Sequence, residues 1–129
     1  MNKIIVEVSI GELLDKISIL EIKQGKIKDP EKLKFINNEH SILKSQLENN
    51  VKSDEKLISL YESLKEINAK LWVIEDDKRQ CEKDKDFGEK FIKLSRDVHF
   101  LNDDRAKIKL EINNHTGSVI KEIKEYTNY

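Results

Sequence analysis

The sequence has little of what cross-links or breaks a chain. Among its 129 residues there are one cysteine, one proline and four glycines. A single cysteine cannot form an intrachain disulfide, which excludes a small disulfide-stabilised scaffold. Because proline and glycine are the residues that most often interrupt helices, their scarcity leaves room for long helices. The length predicts one domain, spanning residues 1–129.

The chain also lacks an excess of charge of either sign and a long apolar run. It carries 24 basic and 25 acidic residues, a formal net charge of −1. Interspersed charges give no long-range attraction for nucleic acid or for an anionic surface, so we expect no nucleic-acid partner. No segment approaches the roughly 20 apolar residues that a membrane span needs. The N-terminal apolar run is too short for a signal peptide, and we expect a cytoplasmic protein.

Two apolar ladders lie on either side of one turn. Their steps alternate between three and four residues, the spacing that keeps side chains on one stripe of a helix. The first ladder consists of Leu57, Leu60, Leu64, Ile67, Leu71 and Ile74, and the second of Phe91, Leu94, Val98, Leu101, Ile108 and Ile112. The break between them is Asp86-Phe87-Gly88. The pattern predicts a long antiparallel helical hairpin, with one helix from a cap at Ser53 to about Lys83 and the other from Gly88 to near Asn114.

Two shorter helices are expected before the hairpin. Ser9 followed by Glu12 has the form of a capping box, which predicts a helix that ends between Gly25 and Lys28. Asp29-Pro30 places a cap before a proline at the first helical position, which predicts a second helix that ends at residues 48–50. Residues 3–8 alternate loosely and suggest a short strand or an extended arm, and residues 119–126 are compatible with a last short helix. The fold class is therefore all-α, a coiled-coil-like bundle, and we expect a homodimer.

Polar residues interrupt the ladders and shorter helices at positions where apolar residues would pack best: Gln24, His40, Lys78 and Arg105. One interpretation is that these residues do no more than fix the register of the packed helices. Arg105 keeps its charge at any ordinary pH, so it needs a carboxylate or a bound anion, and Glu12, Asp15, Glu66 and Glu111 are the candidate partners. His40 is expected to be a hydrogen-bonded core histidine rather than a ligand. Trp72 and Phe100 are expected to pack against the first two helices.

Acidic clusters raise the alternative of a metal site. Glu75 and Asp77 are candidate metal ligands, because reflection about the turn brings Asp77 opposite Asp97 and two close carboxylates need a cation or a proton. The competing interpretation is that these carboxylates extend into solvent. Glu12 and Asp15 form an acid-x-x-acid pair of the kind with which all-α nucleotide pyrophosphatases bind magnesium, but a clear second pair in a matching context is missing, and the acids from Glu75 to Asp77 do not have this spacing. No Walker, GxSxG, GxGxxG or HExxH motif is present.

Several segments in order along almost the whole chain resemble a bacterial family of small proteins that is classed only as a domain of unknown function. The resemblance is carried by VSIGELLDK from Val8, by EDD from Glu75 together with Arg79, by DFG from Asp86, by NDDRA from Asn102 and by Tyr126. Some members of that family are encoded beside glycosyltransferase or surface-polysaccharide genes, which implies an accessory role in surface-polysaccharide or sugar metabolism. No activity is assigned to the family.

The matched polar residues lie on three predicted helices and suggest one site for a polar ligand or a protein partner. The candidate ligand-binding residues are Glu12, Asp15, Lys16, Arg79, Asn102 and Arg105. We expect a binding or assembly module that needs no cofactor. One alternative is a magnesium-dependent nucleotide or nucleotide-sugar phosphohydrolase that uses Glu12, Asp15, Glu75 and Asp77 as metal ligands, with Arg105 on phosphate. The other alternative is a purely structural coiled-coil adaptor.

Overall fold

The computed structural model describes residues 2–128 and contains four helices. They are α1 (Ile10–Lys26), α2 (Pro30–Asn50), α3 (Glu55–Asp84) and α4 (Glu89–Thr116). The predicted all-α fold with its long hairpin is confirmed, since α3 and α4 are joined by one turn and pack against each other. No helix within residues 2–128 is long and apolar enough to cross a membrane.

The helix ends follow the capping residues closely. Ser9 caps α1 by accepting a hydrogen bond from the Glu12 amide at 3.0 Å, and Asp29 caps α2 in front of Pro30. The predicted cap of α3 was one residue early, because the Asp54 carboxylate, not Ser53, accepts from the Leu57 amide at 2.8 Å. A carboxylate at this position also interacts favourably with the positive end of the helix dipole, which stabilises the helix. The left-handed Lys85, with φ 54°, closes α3 at the hairpin turn.

Of the two alternatives for the N-terminal segment, the strand is not formed and the extended arm remains, and the short helix suggested for the C-terminal segment is not formed. Residues 2–8 form no strand, and residues 118–128 form no helix. An isolated extended segment has no neighbouring strand to satisfy its backbone, and α4 already ends at Gly117, which adopts φ 68°. The C-terminal segment instead returns along α4, where Glu122 contacts Lys109 and Tyr126 lies near Asn102.

The helix α1 is the centre of the fold, because it contacts all three other helices. Its Leu14 packs with Leu57, Leu64 and Ile112 in the core, and Ile17 of the same helix is fully buried. The helix α2 has no buried residue and packs against α1. It is held partly by polar contacts, in which Gln24 donates to Asn37 and His40 lies 3.0 Å from Glu21.

The helix α1 crosses only one side of the hairpin, and within residues 2–128 no helix packs against the opposite side. Asn68 on α3 and Lys109 and Asn113 on α4 contact α1 and mark the covered face. On the opposite side, a shallow hollow of ≈ 680 Å³ runs along the hairpin seam. We call this side the open face. Its residues either line the hollow or follow a lining residue at a spacing of seven. They are Glu66, Lys70, Val73 and Asp77 on α3 and Asp97, Phe100, Asp104 and Lys107 on α4.

The expected packing of Phe100 against the first two helices was wrong. Phe100 lies on the open face and is 45% exposed, whereas α1 lies across the covered face. The periodicity placed Phe100 beside the apolar stripe but could not tell which flank of the stripe α1 would cover. The half-exposed Phe100 ring borders the hollow of the open face on one side and lies beside Arg96, Tyr126 and Thr127 on the other.

The close approach of α1 to α4 depends on Gly11. A Cβ atom at this position would lie 2.6 Å from the backbone oxygen of Lys109 and 3.0 Å from the Asn113 Oδ1 atom. The Gly11 amide donates to that same Oδ1 atom at 2.7 Å. Gly25, in the last turns of the same helix, has no atom within 4 Å of its virtual Cβ.

We predict that Gly11→Ala lowers the free energy of unfolding by about 1–3 kcal/mol, because it forces two helices apart in a packed interior. The matched variant Gly25→Ala should leave stability unchanged or raise it by up to about 1 kcal/mol, since alanine favours helix. Urea unfolding followed by circular dichroism measures both. Equal effects of the two substitutions would contradict the close contact.

Candidate functional site

A buried polar cluster lies where α1 crosses α3 and α4. We define it by Glu12, Asp15 and Ser18 of α1, Asn68 of α3, and Arg105 and Lys109 of α4. Spacings of three residues on α1 bring Glu12, Asp15 and Ser18 to the same side of the helix. The polar cluster therefore arises because one side of α1 carries polar groups and that side meets the hairpin seam.

Asn68 is the link between α1 and the hairpin. Its Nδ2 atom donates to Asp15 Oδ1 and to Ser18 Oγ, both at 2.7 Å, and its Oδ1 atom accepts from Arg105 at 3.3 Å. The Ser18 hydroxyl donates in turn to the Asp15 backbone oxygen at 2.8 Å. Asn68 thus uses both its donor and its acceptor groups, as a buried amide must if its desolvation is to be offset.

Lys109 is the cation at the centre of the polar cluster. It is only 9% exposed, and its ammonium lies 2.6 Å from Glu12, 3.5 Å from Asp15 and 3.4 Å from Glu122. Burial alone would lower the pKa of Lys109, but the hydrogen bond to Glu12 and the nearby carboxylates outweigh burial and raise it. The hydrogen bond from Lys109 lowers the pKa of Glu12 against the opposing effect of burial. Both groups therefore keep their charges over a wide pH range.

A second polar junction holds α1, α2 and α3 together. Glu21 accepts hydrogen bonds from Tyr61 and Lys65 of α3 and pairs with His40 of α2. Burial raises the pKa of Glu21, but the three partners together bring it below the usual value. Burial, together with the hydrogen bond to Glu21, raises the pKa of Tyr61. The expectation of a hydrogen-bonded His40 agrees with this contact, although Glu21 was not foreseen as its partner.

The structure brings four of the six candidate ligand-binding residues together. Glu12, Asp15 and Arg105 belong to the polar cluster, and Lys16 is exposed but close enough to Glu12 to lower its pKa. Asn102 lies one turn from Arg105, in a separate hollow with Arg96, His99 and Tyr126. Arg79 is exposed, eleven residues beyond Asn68 on α3, and thus about 16 Å further along the helix axis. The fold therefore does not bring all six residues into a single pocket.

The two candidate metal ligands point to different sides of α3. Residues two apart on a helix are separated by about 200° around its axis, so Asp77 lies on the open face whereas Glu75 lies towards the covered face. Asp97, the expected partner of Asp77, pairs instead with Lys93 at 2.7 Å. Within residues 2–128, no group of three or more histidine, cysteine, aspartate or glutamate side chains is arranged to hold a metal ion.

Sequence reasoning missed Lys109, Asn68 and Asn113. Arg105 interrupts the apolar ladder and was identified for that reason. Its hydrogen-bond partner is the Asn68 amide, and its charge also contributes to lowering the pKa of Glu12, one of the four carboxylates proposed. Lys109 and Asn68 lie beside the ladders, where polar residues normally face water, so their burial depends on where α1 crosses. The one available signal was the smallness of Gly11, which marks the crossing point.

Comparison with known families gives a match to residues 4–129, nearly the whole chain, by a family of unknown function, DUF6165. The chain belongs to this family. Comparison with curated proteins and comparison with solved structures gave no match for this chain. The family assignment thus agrees with the resemblance in the sequence and leaves the activity to be inferred from the site.

We predict that Lys109→Met lowers the free energy of unfolding by about 3 kcal/mol, because it leaves Asp15 buried without its cation. The control Lys90→Met removes a charge from an exposed position of the same helix and should change stability by less than about 0.5 kcal/mol. Chemical unfolding at neutral pH checks both variants. A Lys109 variant as stable as the control would show that the ion pairs carry no net stability.

The pH dependence of the Lys109 contribution has a defined sign. The pKa of Glu12 is lowered in the folded state, so its contribution is present above the ordinary value of 4.5 and is lost as pH falls through the folded value. The pKa of Lys109 is raised, so its contribution is present below 10.5 and is lost only as pH rises through the folded value. The difference in unfolding free energy between wild type and Lys109→Met should therefore be largest between these limits and shrink in acid. A difference independent of pH would contradict this account.

Proposed function

We propose that the protein is a non-enzymatic assembly module that binds a second copy of itself through the open face. The observation that carries this proposal is the contrast between the two sides of the hairpin. On the covered face, the described buried side-chain polar atoms all have partners within the chain. On the open face, Val73 and Phe100 are 48% and 45% exposed and lie in one hollow with Ala69, Ile74 and Leu101.

The saturated state of the polar cluster supports binding over catalysis. Within the polar cluster, hydrogen bonds and an ion pair join Asp15 to Asn68 and Lys109, and Asn68 to Ser18. A catalytic acid or base instead needs a substrate atom within hydrogen-bond reach. The phosphohydrolase alternative needs Glu75 and Asp77 on one ion, and these residues lie on opposite flanks of α3. The polar cluster is better suited to holding α1 in place than to turning over a substrate.

The size of the open face suits a second copy. The hairpin is about 40 Å long and two helices, or about 20 Å, wide. Its flat side offers about 800 Å² per copy, which is what one partner contributes to a standard stable interface. Two hairpins packed by their open faces form an antiparallel four-helix bundle, a common way to bury a half-exposed helical seam.

The family resemblance adds a context for this assembly. We propose that the dimer acts as an accessory in surface-polysaccharide or sugar metabolism, a role supported only by the resemblance and by no contact in the fold.

We predict that Phe100→Glu weakens self-association about 100-fold, because it places a carboxylate at the apolar centre of the interface. Sedimentation velocity over a concentration series measures the dissociation constant of the dimer. The matched control is Ile92→Glu, since Ile92 is 54% exposed but lies three heptads before Asn113, on the α1 side of α4. A wild-type protein that stays monomeric, or a Phe100→Glu variant that dimerises like wild type, would refute the proposed function.

A further inference from the structure

Arg105 is a half-buried cation that forms no ion pair among residues 2–128. The hydrogen bond that it donates goes to the Asn68 amide at 3.3 Å, which leaves the charge of the guanidinium uncompensated. That charge adds to the effect of the Lys109 hydrogen bond in lowering the pKa of Glu12. Because a guanidinium stays protonated at any ordinary pH, Arg105 keeps the capacity to bind an anion.

The segment after α4 runs along the stripe of α4 that contains Arg105. Asn102, Arg105 and Lys109 are spaced by three and four residues and so lie on one side of the helix. Glu122 contacts Lys109 at 3.4 Å, and Tyr126 lies in one hollow with Asn102. The stretch of helix between these two contacts spans about 10 Å, a distance that the extended chain from residue 122 to residue 126 can cover. The segment therefore passes Arg105 on its way from Lys109 to Asn102.

Glu122 supplies the carboxylate that balances the charge of the polar cluster. When Lys16 and Glu122 are included, the charged groups are Lys16, Arg105 and Lys109 against Glu12, Asp15 and Glu122. Release of Glu122 leaves three cations and two carboxylates, a net charge of +1. Glu12 and Asp15 are held in place by α1, so Glu122 is the carboxylate that can leave.

We call residues 119–128 the C-terminal strap. All of them are exposed, whereas Ser118 immediately before them is buried. Glu122 keeps a cationic partner when it leaves Lys109, because Lys124 of the same segment lies 3.7 Å from its carboxylate. A segment that is held by exposed polar contacts opens at a low cost in free energy. Movement of the C-terminal strap therefore uncovers Arg105 and Lys109 without disturbing the core.

We propose that Arg105 and Lys109 form an oxyanion site for a phosphate monoester, and that Glu122 of the C-terminal strap occupies this site in the unliganded chain. The carboxylate of Glu122 pairs with Lys109 and leaves Arg105 without an ion pair. The free oxygens of a phosphate monoester can instead reach both a guanidinium and an ammonium whose Cβ atoms are about 5–6 Å apart. Asn102, which forms no hydrogen bond within residues 2–128, offers an amide on the same stripe for the group that carries the phosphate.

Removal of the blocking carboxylate tests the site. We expect Glu122→Ala to bind inorganic phosphate about tenfold more tightly than wild type, because phosphate no longer competes with a tethered carboxylate. The matched control Glu125→Ala removes the same charge from an exposed position of the C-terminal strap that forms no ion pair within residues 2–128, and it should bind phosphate like wild type. Titration at neutral pH and constant ionic strength, followed by NMR chemical shifts of the backbone and of Arg105, measures the dissociation constants.

The role of Arg105 is tested in the Glu122→Ala background. Arg105→Met should weaken phosphate binding about tenfold, whereas Arg79→Met, which removes an exposed guanidinium from α3, should leave it unchanged. Circular dichroism checks that each variant is folded.

If Glu122→Ala binds phosphate no more tightly than Glu125→Ala, the proposed site is wrong, whether or not the Arg105 variant folds. If folded Arg105→Met binds phosphate as tightly as the Arg79 variant, Arg105 is not part of the site and the proposal is also wrong. The polar cluster lies on the covered face, and self-association is measured separately, so either result leaves the open-face dimer to its own test.

Discussion

The contact of Asn68 with Asp15 and Ser18, closed by Lys109, is the constraint on which the arrangement of the chain depends. An apolar seam between α1 and the hairpin could slide with little penalty, because apolar contacts are not directional. A buried amide that donates to two partners at 2.7 Å cannot slide without leaving polar groups unpaired. The polar cluster therefore fixes where α1 crosses the hairpin, and the glycine at position 11 allows α1 to come close enough for it to form.

The position of α1 on the covered face of the hairpin also determines which surface remains for contact with another chain. Within residues 2–128, α2 packs on α1, so no further helix packs on the open face, and the C-terminal residues Tyr126 and Thr127 lie only at its Phe100 edge. Its apolar residues are too few to drive collapse but are bordered by both signs of charge, as at many reversible protein interfaces. Stability and assembly are thus divided between the two faces: the polar cluster orders the chain, and the open face is available to a second chain.

Much of the architecture was predictable from local rules, and the site was predictable only in part. The ladders of three and four residues, the caps at Ser9 and Asp29 and the turn after Lys83 indicated four helices close to their observed bounds. Glu12, Asp15 and Arg105 were also foreseen as neighbours. The partners Asn68 and Lys109 were not, because their burial depends on the crossing of two helices distant in sequence. For the same reason, Phe100 was assigned to the wrong face: helical periodicity defines the flanks of a stripe without saying which flank is covered.

The most direct test of the account is the distance between the open faces of two copies in solution. A spin label attached at Lys70→Cys in a Cys81→Ala background would lie on the open face, and pulsed electron resonance would report the separation of the labels in the two copies. A dimer formed through the open faces brings the two labels within about 30 Å, close to three helix diameters. A separation beyond about 50 Å, or no dipolar coupling at concentrations where the protein is folded, would contradict the account.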